Sequence, residues 1–251
     1  MKTFDYIVCN GDTDSISVKR KDGKPMSVEE RAEFLREINS QMPPMIQWDD
    51  DSYFKKFIVV REKNYVLVDE DGKRKIKGSA LKATTKEKAL QTFIAEVIDL
   101  MVKDRMDQIY SLYMKYAREI VDLKDITDWC SKKTVTKAVL TSDRTNETRV
   151  LEAIGDTPVQ EGDKVYVFFK TPEELCLREN FDGTYDRDIL LGKLYDSLCV
   201  FETVIQTDLF PNFALRRNIE SLVGPQPKKP RTKDAANLFV QLSKQEMQTR
   251  V

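Results

Sequence analysis

The chain has 251 residues, of which 41% are hydrophobic and 33% charged, a composition typical of a soluble folded protein with a sizeable core. It contains no histidine, which excludes Ser-His-Asp hydrolysis and HExxH zinc chemistry. Its net charge is −1, so any nucleic-acid binding must come from local basic patches. No apolar run is long enough for a transmembrane helix or a signal core, and the four cysteines are widely spaced, which together predict a reducing, cytoplasmic setting.

The first 82 residues predict a small antiparallel sheet with one helix. Residues 4–9 and 15–19 read as strands joined by a tight turn at Asn10-Gly11. Ser27 and Glu30 form a capping box that begins a helix, which ends before Pro43-Pro44. Further strands are expected at 57–60, 65–68 and 75–78, with a hairpin turn at 70–73.

The rest of the chain is mostly helical in pattern. Apolar residues recur at helical spacing over 86–121, which predicts a core-facing helix capped by the threonines at 84 and 85. Shorter helices are expected at 144–155 and 186–205, with a strand at 159–169. The fold class is therefore α+β. After residue 224 the composition changes to a proline-rich basic linker followed by a short terminal segment.

The sharpest motif is Gly11-Asp12-Thr13-Asp14-Ser15, which lies between two apolar strands. Two carboxylates at a tight turn repel each other unless a cation neutralises them, and hard oxygen ligands suit Mg²⁺. A bare DxD is more often an acidic turn without metal, and that alternative stays open. An EF-hand is excluded because the residues after Asp14 lack the required ligand spacing.

The second motif is Arg61-Glu62-Lys63-Asn64-Tyr65, followed by Lys75-Ile76-Lys77-Gly78. Residues 61–90 hold nine basic and five acidic residues, which makes this stretch a local positive patch. Lysines on adjoining strands can hold phosphates, and a glycine allows close backbone approach. Taken alone, the pattern also fits a solvated strand edge.

In this order, NGDTDS, KNY, KxKG and a helical region resemble the C-terminal part of family B DNA polymerases. That family carries a YGDTDS hairpin in the palm, then KKxY and KxKG motifs, then the thumb. The resemblance covers most of the chain. It predicts a partial palm (antiparallel sheet with helix) over 1–82, a mostly helical thumb over 83–224, and a basic linker with a partner-binding peptide over 225–251.

The resemblance also implies roles for single residues. Asp14 would be catalytic and bind both Mg²⁺ ions, with Asp12 assisting as a second metal ligand. Lys63 and Tyr65 would hold the primer terminus and its template partner. The complete set of implied nucleic-acid contacts is Thr13, Lys63, Tyr65, Lys75, Lys77, Gly78, Lys133 and Lys137.

Two positions depart from the family pattern. Glu62 replaces the first lysine of KKxY, which removes a positive phosphate contact that Arg61 could supply instead. Asn10 replaces the tyrosine before GDTDS, which keeps a turn former but loses an aromatic side chain. Neither change removes the predicted metal ligand.

Other parts of a family B enzyme have no counterpart in the sequence. Its second metal-binding aspartate, its fingers lysine and its exonuclease precede the hairpin, and none of their motifs occurs here. The resemblance therefore implies the C-terminal subunit of a split polymerase, as some phages and archaea encode. An N-terminal subunit would complete the site, which would share two Mg²⁺ ions between the chains and act on primer-template DNA and dNTPs. A eukaryotic viral source would place it in the nucleus.

The terminal segment carries a separate hypothesis. Leu238, Phe239 and Leu242 follow the basic linker and could dock on a sliding clamp, or instead on the thumb or the partner subunit. Two other functions also stay open for the whole chain. One is a non-catalytic, thumb-like module that binds duplex DNA, and the other is an interaction protein held by its terminal peptide.

Overall fold

The computed structural model describes residues 6–141 and 145–215; the predicted linker and terminal peptide lie outside these residues. The α+β class is confirmed, because eight strands in three small sheets and seven α-helices occur within the described residues. The chain divides into two compact units, Met1–Phe57 with Leu67–Lys75 and Ile58–Val66 with Ile76–Val251. Among the described residues, no helix is both long and apolar enough to cross a membrane.

The first unit begins with a β-hairpin. Strands β1 (Tyr6–Gly11) and β2 (Ile16–Arg20) pair antiparallel, and Val8 lies opposite Val18. A bulge after Val8 shifts the register before the turn. The predicted hairpin is therefore present, with only these two strands in its sheet among the described residues. The predicted position of its turn is wrong, because Asn10 and Gly11 lie in β1 opposite Ser17 and Ile16, and the turn comprises residues 12–15.

Helix α1 (Val28–Gln41) follows the hairpin and begins at the predicted capping box. The Ser27 hydroxyl accepts from the Glu30 amide, and the Glu30 carboxylate accepts from the Ser27 amide at 2.8 Å. Glu30 also pairs with Arg20, while Phe34 packs edge-on against Tyr6 with ring centroids 4.8 Å apart. None of residues 6–57 is buried, so these contacts hold the helix without enclosing a core.

A three-stranded sheet has the order β3 (Lys56–Arg61), β4 (Asn64–Val68) and β5 (Arg74–Lys77). Its strands contribute residues to both compact units. Between β4 and β5 the Gly72 amide donates to the Asp69 carbonyl, and Gly72 has a φ of 81°, which suits glycine. The predicted hairpin turn is thus present.

The second unit is built around helices α3 (Lys88–Val102), α4 (Ile109–Val121) and α7 (Arg187–Leu198), with the short α2 (Ser79–Lys82) before them. Their apolar stripes form the core, as predicted, and its largest fully buried side chains include Trp129, Tyr113, Phe93, Phe201 and Phe213. The spacing over 86–121 predicted ten positions for the stripe, of which Leu112 is half-buried and the other nine are buried: Leu90, Phe93, Ile94, Val97, Ile98, Met101, Ile109, Tyr113 and Tyr116.

The single helix predicted over 86–121 is wrong, because it is interrupted between α3 and α4. Asp104 adopts a φ of 55°, and the amide of Arg105 turns back to the Leu100 carbonyl at 2.8 Å. A left-handed residue ends a helix, and aspartate tolerates that conformation better than most side chains. The predicted cap is also wrong: Glu87 occupies the N-cap position of α3, without a side-chain capping hydrogen bond.

Residues 131–177 form a strand–helix lobe within the second unit. Strands β6 (Ser131–Thr134), β7 (Lys164–Phe169) and β8 (Leu175–Leu177) pair antiparallel in that order, with helices α5 (Lys137–Thr141) and α6 (Thr145–Ile154). The lobe has its own hydrophobic cluster of Val135, Val139, Val150, Ile154, Val167 and Leu177. The strand predicted from 159 begins only at 164, and the helix predicted to 205 continues as a 3-10 turn after 198.

Tyr113 allows a test of the contacts between helix α4 and the segment that contains Pro211 and Phe213. Its side chain is fully buried, stacks on Phe213, and donates its hydroxyl to the Pro211 carbonyl at 2.7 Å. Tyr113→Phe leaves that carbonyl without its partner and should lower the free energy of unfolding by about 1–3 kcal/mol. Urea denaturation measures the change. The control is Tyr110→Phe, since Tyr110 is exposed; an equal loss in both variants would contradict the assignment.

Candidate functional site

The acidic motif forms the exposed tip of the β1–β2 hairpin. The Asp12 amide donates to the Ser15 carbonyl at 2.9 Å and closes the turn. The Asp12 carboxylate in turn accepts the Thr13 amide at 2.9 Å, which fixes its orientation. Asp14 is exposed, and its carboxylate has no hydrogen-bond or ion-pair partner among the described residues. One aspartate is therefore used by the turn, and the other is available to a ligand.

The hairpin carries donor atoms of the type that a metal ion could use. Its donors are carboxylate oxygens, the type that Mg²⁺ prefers, and Mg²⁺ is commonly held by one or two carboxylates together with water and substrate phosphates. Nowhere in the described part of the chain do three or more acidic, cysteine or histidine side chains gather as a metal cluster. The carboxylates of Asp12 and Asp14 are compatible with Mg²⁺ by donor type, and a bound ion would need further ligands.

The two basic motifs meet at a junction that is held by Asn64. Its side-chain oxygen accepts the backbone amide of Ala80 at 3.1 Å, just after KxKG. Its side-chain nitrogen donates to the Glu62 carbonyl at 2.8 Å, within the KNY turn. We call residues 62–65 and 77–80, joined in this way, the Asn64 junction. One amide side chain thus ties together two segments that the sequence places about a dozen residues apart.

Gly78 allows the two segments of the Asn64 junction to come this close. Its φ is 98°, a conformation that side chains rarely adopt. A Cβ atom at this position would lie 2.5 Å from the Lys63 carbonyl oxygen and would also collide with the Asn64 side chain. Glycine is therefore required at this position of KxKG for two reasons: its backbone has a positive φ, and there is no room for a Cβ atom.

The junction brings several predicted binding residues into one place. Lys63 has a φ of 57° and is exposed beside Asn64, and Lys77 is exposed next to Gly78. Tyr65 is half-buried on the same strand as Asn64. Lys75 belongs to the other compact unit, where its ammonium lies 5.9 Å from the centre of the Phe54 ring. The Asn64 junction therefore groups Lys63, Tyr65, Lys77 and Gly78.

The remaining predicted contacts lie elsewhere. Lys133 is exposed on the edge strand β6, where it pairs with Val165, and Lys137 is exposed at the start of α5. Both belong to the strand–helix lobe. Leu238, Phe239 and Leu242 lie outside the described residues.

Sequence reasoning missed two structural groups. The first is Asn64, which the sequence showed only as the variable position of KNY. The available signal was an amide side chain in a chain that also carries the glycine of KxKG.

The second group is Glu87, which is 4% exposed and whose carboxylate lies 2.5 Å from both the Lys193 ammonium and the Ser131 hydroxyl. Burial would raise the pKa of the Glu87 carboxyl, but the Lys193 charge and these hydrogen bonds outweigh burial and hold that pKa below its usual range. Nothing in the local sequence links these three residues.

Comparisons with known proteins agree with this description. No model of a known protein family matches the chain. A DNA polymerase of Methanocaldococcus jannaschii is 35% identical over 77 residues, which cover 30% of this chain and 5% of the polymerase. A family B DNA polymerase of Pyrobaculum calidifontis superposes with a TM-score of 0.61 at 17% identity, covering 80% of this chain and 27% of the other. The chain therefore has the fold of part of a family B DNA polymerase and spans a small share of those relatives.

The close approach at Gly78 predicts an unusually costly substitution. Gly78→Ala combines left-handed strain with a collision against backbone, so it should lower the free energy of unfolding by about 2–4 kcal/mol. Gly162 has the same φ of 98° but nothing within 4 Å of an added Cβ, which makes Gly162→Ala the matched control for strain alone. Its expected cost is about 1 kcal/mol. Equal costs in thermal unfolding would contradict the proposed contact.

Proposed function

We propose that this chain is the C-terminal palm and thumb portion of a family B DNA-directed DNA polymerase, acting in template-directed nucleotidyl transfer during DNA replication. The observation that carries the proposal is the Asn64 junction, which ties the segment of the exposed Lys63 to the segment of the exposed Lys77. The likeness of the fold to part of a family B polymerase supports the same assignment.

The junction is suited to the backbone of a nucleic acid. Lys63 and Lys77 present ammonium groups to solvent from two segments that Asn64 holds together. Phosphate contacts of this kind position a duplex without reading its sequence. Tyr65 adds an aromatic ring on the adjoining strand. The arrangement therefore favours a primer strand held by its phosphates, which sets the position of its terminus.

The hairpin would contribute the metal ligands. Asp14, with Asp12 beside it, would hold Mg²⁺ through carboxylate oxygens. When bound, a pair of such ions neutralises phosphate charge and favours attack by a hydroxyl group. The chain's own part is to present Asp14 on a closed turn, because the Asp12 amide and carboxylate are both used in holding that turn.

Residues 6–57, which make up most of the first unit, support the need for a partner. None of residues 6–57 is buried, while Val8 is 62% and Met45 94% exposed. A two-stranded hairpin with a helix and no enclosed core is marginally stable by itself. We assign the missing cover to an N-terminal polymerase subunit that carries the exonuclease, the fingers and the rest of the palm. Leu238, Phe239 and Leu242 are assigned, from sequence alone, to binding a sliding clamp.

Loss of the metal ligand provides the direct test. The chain is assayed for primer extension with Mg²⁺, alone and with the products of the flanking genes. We expect extension only in the combination, and Asp14→Ala should lower its rate about a thousandfold, since metal stabilisation is worth several kcal/mol. Asp71→Ala, in the exposed turn between β4 and β5, is the control and should extend normally. Equal rates for the two variants would overturn the catalytic assignment.

The Asn64 junction gives an independent prediction for DNA binding. Lys63→Ala and Lys77→Ala should each weaken binding to a primer-template duplex and reduce the salt dependence, by about 0.9 in the slope of log K against log[salt]. Fluorescence anisotropy over a range of salt concentrations measures this slope. Lys124→Ala removes an exposed lysine from a loop away from both motifs and should leave the slope unchanged. Wild-type slopes in both junction variants would contradict the proposed interface.

The alternative function is a duplex-binding module without catalysis. It is favoured by the distribution of the core, since the second unit, with the junction and the lobe, holds nearly all of the buried side chains. It predicts salt-sensitive DNA binding but no extension with any combination of partner proteins. Extension that depends on Asp14 would exclude it.

A further inference from the structure

A polar cluster around the buried Glu87 shares no residue with the Asn64 junction or the hairpin. The Glu87 carboxylate accepts hydrogen bonds from the Lys193 ammonium and the Ser131 hydroxyl, both at 2.5 Å. The Lys193 ammonium also donates to the Ser131 hydroxyl oxygen at 3.3 Å. Glu87 is 4% exposed, so the carboxylate is shielded from water on nearly all sides. A charge buried in this way is tolerated only because its partners are held in place.

The three residues come from three separate elements. Glu87 directly precedes α3, Lys193 lies on α7, and Ser131 is the first residue of β6. The cluster therefore lies at the boundary, which we call the seam, between helices α3 and α7 and the strand–helix lobe of residues 131–177. A backbone hydrogen bond crosses the same seam, from the Asp186 amide to the Phe169 carbonyl at 2.8 Å.

The lobe does not need this cluster for its own folding. Its hydrophobic cluster lies within residues 135–177, and none of the three polar residues belongs to it. Glu87 is also not used as a helix cap, because its side chain makes no capping hydrogen bond to α3. Apolar contacts tolerate sliding, whereas a carboxylate shared by an ammonium and a hydroxyl is satisfied in few arrangements. The cluster thus specifies how the lobe is oriented.

We infer that Glu87 is a positioning residue, which fixes the strand–helix lobe on helices α3 and α7 through Lys193 and Ser131. The exposed lysines 132 and 133 directly follow Ser131 on the edge strand, so the same contact sets where they lie. That they meet duplex DNA rests on the proposed function. The orientation of the lobe does not.

The test separates orientation from stability. Glu87→Gln keeps the shape but leaves the Lys193 ammonium without its counter-charge, and Glu87→Gln/Lys193→Met removes both charges. The readouts on the full chain are the thermal midpoint, hydrogen exchange of the Asp186 amide, and affinity for a short DNA duplex at several salt concentrations. The control is Asp128→Asn, because the exposed Lys88–Asp128 pair, 2.9 Å apart, lies next to Glu87 in the sequence but ties α3 to residues 127–129, which precede the lobe.

In Glu87→Gln we expect the Asp186 amide to exchange at least about tenfold faster and the duplex affinity to fall about tenfold, with a shallower salt slope. In the double variant the thermal midpoint should recover, since no charge is left without its partner, while exchange and affinity stay altered. Asp128→Asn should match the wild type in every readout.

Each contrary result has a defined meaning. Wild-type exchange of the Asp186 amide in Glu87→Gln overturns the inference. Recovery of exchange together with the thermal midpoint in the double variant also overturns it, because Glu87 would then act on stability alone. If the wild-type chain binds no duplex at any salt concentration, the proposed function fails, and the exchange data still decide the role of Glu87.

Discussion

The uneven distribution of buried side chains is the constraint on which the other features of this chain depend. Helices α3, α4 and α7 enclose a core of aromatic and branched residues, and the strand–helix lobe has a smaller one. Residues 6–57 have none, although they contain a regular hairpin and a well-capped helix. Local hydrogen bonding specifies their secondary structure, but apolar burial supplies most of the stability of a fold. The acidic hairpin therefore sits on the part of the chain that is least able to hold a fixed position by itself.

The basic motifs are placed by a different kind of contact. KNY and KxKG are short and exposed, and burial alone would not define their relative position. Asn64 does so with two hydrogen bonds, one to each segment, and Gly78 leaves room for it. The left-handed backbone at Lys63 and Gly78 is the cost of this arrangement. Strained positions that persist in a fold are commonly found at sites of function, which agrees with the role assigned to the junction.

The sequence was informative where a pattern is local. The two apolar strands correctly predicted the β-hairpin, although its turn lies at residues 12–15 and not at Asn10-Gly11. Helix α1 follows from the capping box at Ser27 and Glu30. The apolar stripe of α3 and α4 correctly identified the core. The break between these helices was missed because it rests on one residue, Asp104, whose left-handed conformation has no strong sequence signal. The order of the motifs allowed us to expect that the Lys63 and Lys77 segments lie close together. The role of the Asn64 side chain in joining them could not be expected from the sequence.

The same distinction explains why Glu87 escaped sequence reasoning. Its partners lie 44 and 106 residues away, so no window of the sequence contains the cluster. Periodicity detects apolar faces because they repeat, whereas a single buried carboxylate carries no period. Yet a buried charge makes a more specific contact than an apolar side chain does. An apolar side chain can pack against many neighbours, whereas the Glu87 carboxylate needs hydrogen-bond donors in defined positions. The apolar cores thus stabilise the helices α3, α4 and α7 on one side and the strand–helix lobe on the other. Polar contacts such as Glu87–Lys193 specify how these two parts are oriented. A surface that must follow a regular ligand such as a duplex needs both.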